Sequence, residues 1–327
     1  MLLRYVDGHS GGAVLPSLDC YLHALACGRP TRSYRSTSNA VCVVVRGHCS
    51  SLVGDVTHAL QLLPTHRYPL PQHDLLVAAL PSLLAPLRAA TAGALRHAIA
   101  AVRLDAPIAN PGKIIGAPIN YQAHLAESQA NPAIAHGRAV TSIGDWGLFL
   151  KAGSSLVGCG QDIQLRFPER RNDHEVELGV VIGSTCRLVA KEQAMQHVAA
   201  YTIALDMTLR GTEFQCFRKS IDSYSVLGPW MVTADEISDP SQLDIWLKVN
   251  GEMRQQSNTR HLVYDIARLI EFASSFYTLE PGDVIMTGTP EGVGPVKPGD
   301  LIEAGIDQVG TFSMRVAPQY AVAQLPV

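Results

Sequence analysis

No apolar stretch in this sequence is long enough to cross a bilayer. The most hydrophobic one, DLLVAALPSLLAPL at 74–87, carries Pro81 and Pro86 and falls short of the roughly 20 residues a spanning helix needs. The opening MLLRYVDGHSGG lacks the long apolar core of a signal peptide. Positive charge is not in excess either: 26 Lys and Arg face 29 Asp and Glu, a net charge of −3, which leaves no basic stripe for nucleic-acid phosphates. Cysteine is sparse and unpatterned. The seven, at 20, 27, 42, 49, 159, 186 and 216, form no CxxC pair and no metal-finger spacing, so most are expected as buried thiols in a reducing compartment. No repeat or low-complexity segment appears. These absences predict a soluble, cytoplasmic protein with neither a nucleic acid nor a membrane as partner.

What is present is core material. Hydrophobic residues make up 47% of 327 and charged ones 17%, with 27 Gly and 20 Pro, enough for one large domain and a smaller one. The texture divides the chain into a small α+β N-terminal domain at 1–105 and a main domain at 106–327. The first offers a strand at AVCVVVRG (40–47), a second candidate at SLVGDVTHAL (51–60) and an Ala/Leu-rich helical stretch near 88–102 whose polar face holds Arg96, His97 and Arg103. Beyond Asn110, short β-like runs alternate with Gly and Pro: KIIGAPI, LFLKAG, VELGVVIG, YTIALDM, GPWMVT, LDIWLKVNGE, DVIMTG and LIEAGI. Such spacing predicts a β-rich α+β fold, a barrel or rolled sheets. Helices are expected at 190–201 and 259–276, and the two Pro-Gly-Asp triplets in LEPGDVI and VKPGDLI read as turns entering strands.

Chemistry enters with NDHEVELGVVIG (172–183). Glu175 and Glu177 stand two apart at the mouth of an apolar strand, so both carboxylates project from one face. Two such anions repel unless a cation lies between them or one takes a proton, and a hard divalent ion with oxygen ligands fits. Exposed acids at a strand start are the plainer reading of the pair alone. Asp206, closing the apolar run YTIALD, supplies a third costly acid and makes an all-carboxylate set that leaves room for water and substrate. His174 is expected to point the other way. In INYQAHLAES, His124 and Glu127 are three apart and share a helical face, so a carboxylate can orient an imidazole; an ordinary surface turn is the alternative. Lys219 in FRKSIDSY is either a substrate-facing cation or a solvated lysine.

The segments NPGKIIGAPINYQAHLAE, LFLKAGSSLVG, HEVELGVVIG, LDMTLRG, RKSIDSYSVLGPWMVT and LEPGDVIMTGTPEGVGPVKPGD, in that order over residues 110–312, resemble the fumarylacetoacetate hydrolase family. The resemblance implies a mixed β-roll or barrel catalytic domain, usually a homodimer, with Glu175, Glu177 and Asp206 binding Mg²⁺ or Mn²⁺ and no organic cofactor. His124 and Glu127 match its water-activating dyad, and Lys219 its charge-stabilising lysine. Arg210, Lys151, Thr289 and Tyr121 match substrate contacts. Where members often carry Gln, seven residues past the aspartate, this chain has Glu213, with Gln215 two further on. A negative group there would change the preferred substrate charge unless it faces away or Gln215 stands in for it. The segment 128–147 is longer than in compact members and reads as a lid, mobile without ligand.

The implied activity is metal-dependent hydrolysis of a C–C bond in a 2,4-dioxo acid, of acylpyruvate or fumarylacetoacetate type, through a metal-stabilised enolate. Isomerisation or tautomerisation of a hydroxymuconate-type acid and decarboxylation of oxaloacetate, as in aromatic-compound degradation, are the enzymatic alternatives. A catalytically silent binding protein on the same fold is the reading from another class.

Overall fold

The computed structural model describes residues 71–137 and 139–317, together with 52–56, 62–63 and the strands Leu2–Tyr5, Cys20–His23 and Cys42–Val45. Its centre is a mixed seven-stranded sheet. From edge to edge the strands are Phe149–Lys151, Ile114–Gly116, Val284–Met286, Val176–Ile182, Val198–Asp206, Ser225–Thr233 and Leu156–Gly158. A four-stranded antiparallel sheet, Glu252–Asn258, Asp244–Val249, Leu301–Ile306 and Gly310–Arg315, packs beside it. A small third sheet joins Thr208–Leu209, Asn172–His174 and Gly294–Pro295. The fold is therefore α+β and strand-rich, as the spacing of apolar runs predicts, and every quoted run past Asn110 forms a strand.

Strand alternation sorts the central sheet into two faces. Val176, Leu178, Val180 and Ile182 join Ile203 and Leu205 in the main core. The opposite face carries Val181, Ala200, Ala204, Leu227, Val284 and Met286, which pack against Val77, Leu80, Leu83 and Leu87 of the helix Leu75–Ala90. Glu177 pairs with Ala204 and Asp206 with Ser225, so the same alternation puts both acids on this second face. The helix covers one end of that face, and the carboxylates occupy the other.

The helix differs from expectation. It runs over Leu75–Ala90 rather than 88–102, with Pro81 and Pro86 inside it, while Leu95–Ala98 is a strand paired to Leu52–Asp55. Burying each of its four inward Val and Leu side chains contributes about 1.5–3 kcal/mol, enough to offset the roughly 3 kcal/mol of each interior proline. Asp74 caps its start, accepting from the N–H groups of Leu76 and Val77 at 3.0 Å. Gly282, at φ +87, lies so close to Asp74 that a Cβ would sit 2.4 Å from the Asp74 Cβ, which explains the glycine of the first Pro-Gly-Asp turn. The helix expected at 190–201 shortens to the turns Lys191–Ala194 and Met195–His197, because from Val198 the backbone pairs with strands on both sides. The other expected helix starts at Ile266, where Asp265 caps the N–H of Arg268 at 2.8 Å.

Cys159 and Cys186 are buried thiols and Cys216 is exposed; the remaining four side chains lie outside the described residues. Among the described residues no helix is long and apolar enough to cross a membrane.

One buried amide ties three segments together. Asn120 donates to the carbonyls of Tyr264 and Thr287, at 2.9 and 2.8 Å, and accepts from the Tyr264 N–H at 2.7 Å. The preceding residue, Ile119, sits at φ 48, a strained conformation for a β-branched side chain that its surroundings must enforce. Asn120→Ala is expected to destabilise the fold by about 2 kcal/mol or more, because it strands buried partners; a loss under about 0.5 kcal/mol in chemical denaturation would show the amide is not a brace.

Candidate active site

Glu175 lies in the single-residue gap between Asn172–His174 and Val176–Ile182, strands of two different sheets. Its carbonyl accepts from the Asp206 N–H at 2.9 Å, which draws the two acids together. Glu175, Glu177 and Asp206 are all buried, and each offers a carboxylate oxygen within 4.8 Å of the others.

Four cations answer the charge. Lys219 Nζ donates to Glu175 Oε2 at 2.7 Å, Asp206 Oδ2 at 2.6 Å and Thr208 Oγ1 at 2.7 Å. Lys151 Nζ is bonded to Asp206 Oδ1 and donates to the Tyr224 carbonyl at 2.7 Å. Arg210 bridges Asp173 Oδ2 and Glu175 Oε1 at 2.7 and 2.8 Å, while Arg171 holds Asp173 in a two-point contact at 2.7 and 2.9 Å. Asp173 is thus a fourth buried acid, whose role is to aim Arg210.

The acids respond differently. Burial alone would raise the pKa of Glu175, but Lys219 and Arg210 beside it hold it down at about 2. Glu177 is pushed well above the usual carboxylate range by burial, and next by Asp206 and Glu175. The Gly288 N–H, donating to Glu177 Oε2 at 2.6 Å, opposes this. A Cβ on Gly288 would meet the Asn120 Cβ at 2.6 Å, and its φ is +96, so only glycine brings that N–H to the carboxylate. Proton uptake by one acid is one of the two remedies available to such a pair. The other is a cation. An octahedral ion with oxygens at about 2.1 Å spaces them about 3 to 4.2 Å apart, so three converging carboxylates suit a hard divalent metal.

His124 and Glu127 lie on the helix Gln122–Ala130, and His124 Nδ1 bonds Glu127 Oε2 at 2.8 Å. Glu127 Oε1 accepts from the Gly292 N–H at 3.0 Å, which anchors the pair to the 290s loop. His124 lines one cavity with Glu175, Glu177, Asp206, Arg210 and Lys219. Thr289 lines it too, donating to the Val176 carbonyl at 2.8 Å. The segment 128–147 carries two short helices, Pro132–Ala135 and Ile143–Trp146, and Ile134, Val140 and Trp146 form part of the cavity wall.

Three expected substrate contacts do not line the cavity. Lys151 is consumed in holding Asp206. Tyr121 is fully buried, its hydroxyl meets no hydrogen-bond partner among the described residues, and burial followed by the charges of Glu177 and Glu291 raises its pKa. Glu213 forms a two-point ion pair with Arg170 at 2.9 and 3.0 Å, which holds its carboxyl at about 2, while Gln215 lines the cavity. The acid faces the arginine and the amide faces the site. His174, as alternation predicts, turns from the triad: its Nδ1 lies 3.0 Å from Gln255 Oε1. Gln255, which sequence reasoning missed, also accepts from the Val176 N–H at 3.1 Å and donates to Thr289 Oγ1 and the Pro290 carbonyl at 2.8 and 2.9 Å. Asp173, inside the NDHEVE stretch, was visible but not singled out.

The profile for "Fumarylacetoacetate (FAA) hydrolase C-terminal" matches residues 113–317. The chain belongs to the fumarylacetoacetate hydrolase family. Among curated relatives of this family member, maleylpyruvate hydrolase of Aquipseudomonas alcaligenes is 54% identical over 264 residues, 80% of this chain and 92% of that protein. The crystal structure of maleylpyruvate hydrolase from Sphingobium sp. SYK-6, in complex with manganese(II) ion and pyruvate, is 40% identical with a TM-score of 0.71, covering 85% of this chain and 96% of that one. A 5-carboxymethyl-2-hydroxymuconate delta-isomerase from Mycobacterium smegmatis is 30% identical at a TM-score of 0.63, over 86% and 95% of the two chains.

A carboxyl whose pKa is raised keeps its proton above its ordinary range, so a divalent ion held by the triad would displace a proton from Glu177. Affinity for Mn²⁺ is therefore expected to rise with pH through that titration, by up to about tenfold per pH unit, and to fall as pH drops. Calorimetry in buffers of different ionisation heat should register the released proton, and Glu177→Gln should abolish it. Binding that releases no proton and ignores pH would show that Glu177 is not a ligand.

Proposed function

We propose that this chain is a divalent-metal-dependent hydrolase that cleaves a C–C bond in a 2,4-dioxo acid of acylpyruvate type, with Mg²⁺ or Mn²⁺ and no organic cofactor. One observation carries the reading: three buried carboxylates and His124, whose Nδ1 is bonded to Glu127, open onto the same cavity. The names of the similar proteins support the substrate class, since two are maleylpyruvate hydrolases and one was solved with pyruvate.

Glu175, Glu177 and Asp206 would hold the metal, and a bound divalent ion there supplies Lewis-acid stabilisation of negative charge on the substrate's oxygens. The other roles fall to side chains. Glu127 takes the Nδ1 side of His124 and leaves Nε2 to remove a proton from water. The hydroxide attacks the carbonyl carbon distal to the 2-oxo acid. Lys219, which lines the cavity, offsets charge on the tetrahedral oxygen, and Arg210 adds to this field. The bond between that carbon and the adjacent methylene then breaks. The methylene carbon collects the proton from His124, giving pyruvate and a carboxylic acid. The arm 128–147 acts as the lid that keeps bulk water from the cavity.

A homodimer and a cytoplasmic setting belong to the same reading. Phe214 and Phe217, 80% and 63% exposed on either side of Cys216, are aromatic surface that an apolar subunit contact would cover.

Acylpyruvates supplied with Mg²⁺ or Mn²⁺ should lose their enol absorbance and yield pyruvate, with EDTA stopping turnover. Glu175→Ala or Asp206→Ala should abolish metal binding and activity together, and His124→Ala should lower kcat by about 10²–10⁴-fold. Isomerisation of the substrate without cleavage, or undiminished turnover in EDTA, would overturn the assignment. In the dyad's case, a His124→Ala enzyme at full rate would do so.

A further inference from the structure

Gln255 does not line the cavity, yet its amide reaches two parts of the wall around it. On one side its Oε1 accepts from the Val176 N–H and faces His174 Nδ1, so it holds the residues before and after Glu175. On the other side its Nε2 donates to Thr289 Oγ1 and to the Pro290 carbonyl. The polarity of this chain is set at both ends. A backbone N–H only donates and a carbonyl only accepts, so the amide has a single orientation. His174 Nδ1 then carries a proton, and the Thr289 hydroxyl, accepting from Nε2, sends its own proton to the Val176 carbonyl at 2.8 Å. All of these groups are buried, where a polar atom left unpaired costs about 1–3 kcal/mol.

The loop this amide holds meets a carboxylate at each end. The Gly288 N–H donates to Glu177 Oε2 at 2.6 Å, and the Gly292 N–H to Glu127 Oε1 at 3.0 Å. The first carboxylate belongs to the triad, and the second bonds His124 through its other oxygen. The loop also sits hard against the strand that carries Gln255, since a Cβ on Gly292 would lie 2.0 Å from the Arg254 carbonyl oxygen. The segment 288–292 therefore spans from the triad to the partner of His124, and a single side chain pins its middle. Such a spacer sets how far the imidazole stands from the carboxylates. That separation matters to rate, because a misplacement of about 1 Å can cost about 100-fold.

We propose that Gln255 is a positioning residue for the reaction: by clamping 288–292 it holds His124 in register with Glu175, Glu177 and Asp206, without itself touching metal or substrate. The inference rests on the function proposed above for the roles of the base and the triad.

Gln255→Glu separates the two sides of the clamp. The new carboxylate still accepts from Val176 and His174, but when ionised it has no proton for Thr289 or Pro290 and repels the Pro290 carbonyl. Hydrogen exchange on the full chain should speed up at the amides of 288–292 by at least about tenfold, while 176–182 keeps its protection. On the Mn²⁺-loaded protein, Mn²⁺ affinity and the KM for an acylpyruvate should stay within about threefold of wild type, while kcat falls about 10- to 100-fold. Lowering the pH until the new carboxyl binds a proton gives it a donor again, so the kcat deficit relative to wild type should shrink. In a His124→Ala background the same substitution should cost less than about twofold, because both changes act on one base. Unchanged exchange at 288–292, a loss carried by KM or Mn²⁺ affinity rather than kcat, or costs that multiply in the double variant would overturn the proposal. Should Gln255→Glu fail to fold, Thr289→Val, which removes the clamped hydroxyl, is held to the same exchange and double-variant outcomes. A wild-type chain that turns over no acylpyruvate would refute the hydrolase reading alone, and the exchange result would still decide whether Gln255 clamps the loop.

Discussion

Four carboxylates buried in one place set the terms for the rest of this structure. Asp173, Glu175, Glu177 and Asp206 lie where water cannot screen them, and each charge taken from water into such a site carries a penalty of several kcal/mol. Lys151, Lys219, Arg171 and Arg210 converge on them, and the Gly288 N–H adds a further donor. Replacing such a network by apolar residues is often neutral or stabilising, so stability does not explain it. A preorganised charge site does, because its dipoles are in place before a ligand arrives.

The architecture keeps that site from collapsing. A continuous sheet face would normally be covered along its whole length, yet here the helix Leu75–Ala90 covers only the Val181 and Ala200 end. The uncovered end carries Glu177 and Asp206. Two neutral amides then fix the loops around it. Asn120 joins the start of the helix Gln122–Ala130 to the loops at 264 and 287, and Gln255 joins His174 and Val176 to Thr289 and Pro290. Each is buried with partners on both its oxygen and its nitrogen, the condition under which buried polar groups rigidify rather than destabilise.

Apolar strands and the acids at their ends were legible because period-two alternation is local. VELGVVIG, YTIALD and GPWMVT needed no knowledge of partners to be read, and Glu-x-Glu followed by a distant Asp pointed to one face and one ion. The strand Glu252–Asn258, sequence EMRQQSN, was not legible. It has almost no apolar residue, and its membership rests on pairing with Asp244–Val249. Gln255 was missed for that reason. The Ala/Leu stretch near 88–102 misled because helical composition continues past Ala90, whereas strand pairing to Leu52–Asp55 claims Leu95–Ala98.

By itself the sequence determined the set of clustered acids and the family's motif order, since carboxylate spacing, helical His-Glu spacing and ordered turns are properties of nearby residues. Only the tertiary structure decided which charged groups serve the acids and which face the cavity. Lys151 became a partner of Asp206, Glu213 turned to Arg170, and Gln215 and Arg218 took the wall. Those outcomes depend on residues tens of positions apart meeting in a low-dielectric interior, where each buried charge must find its counterpart.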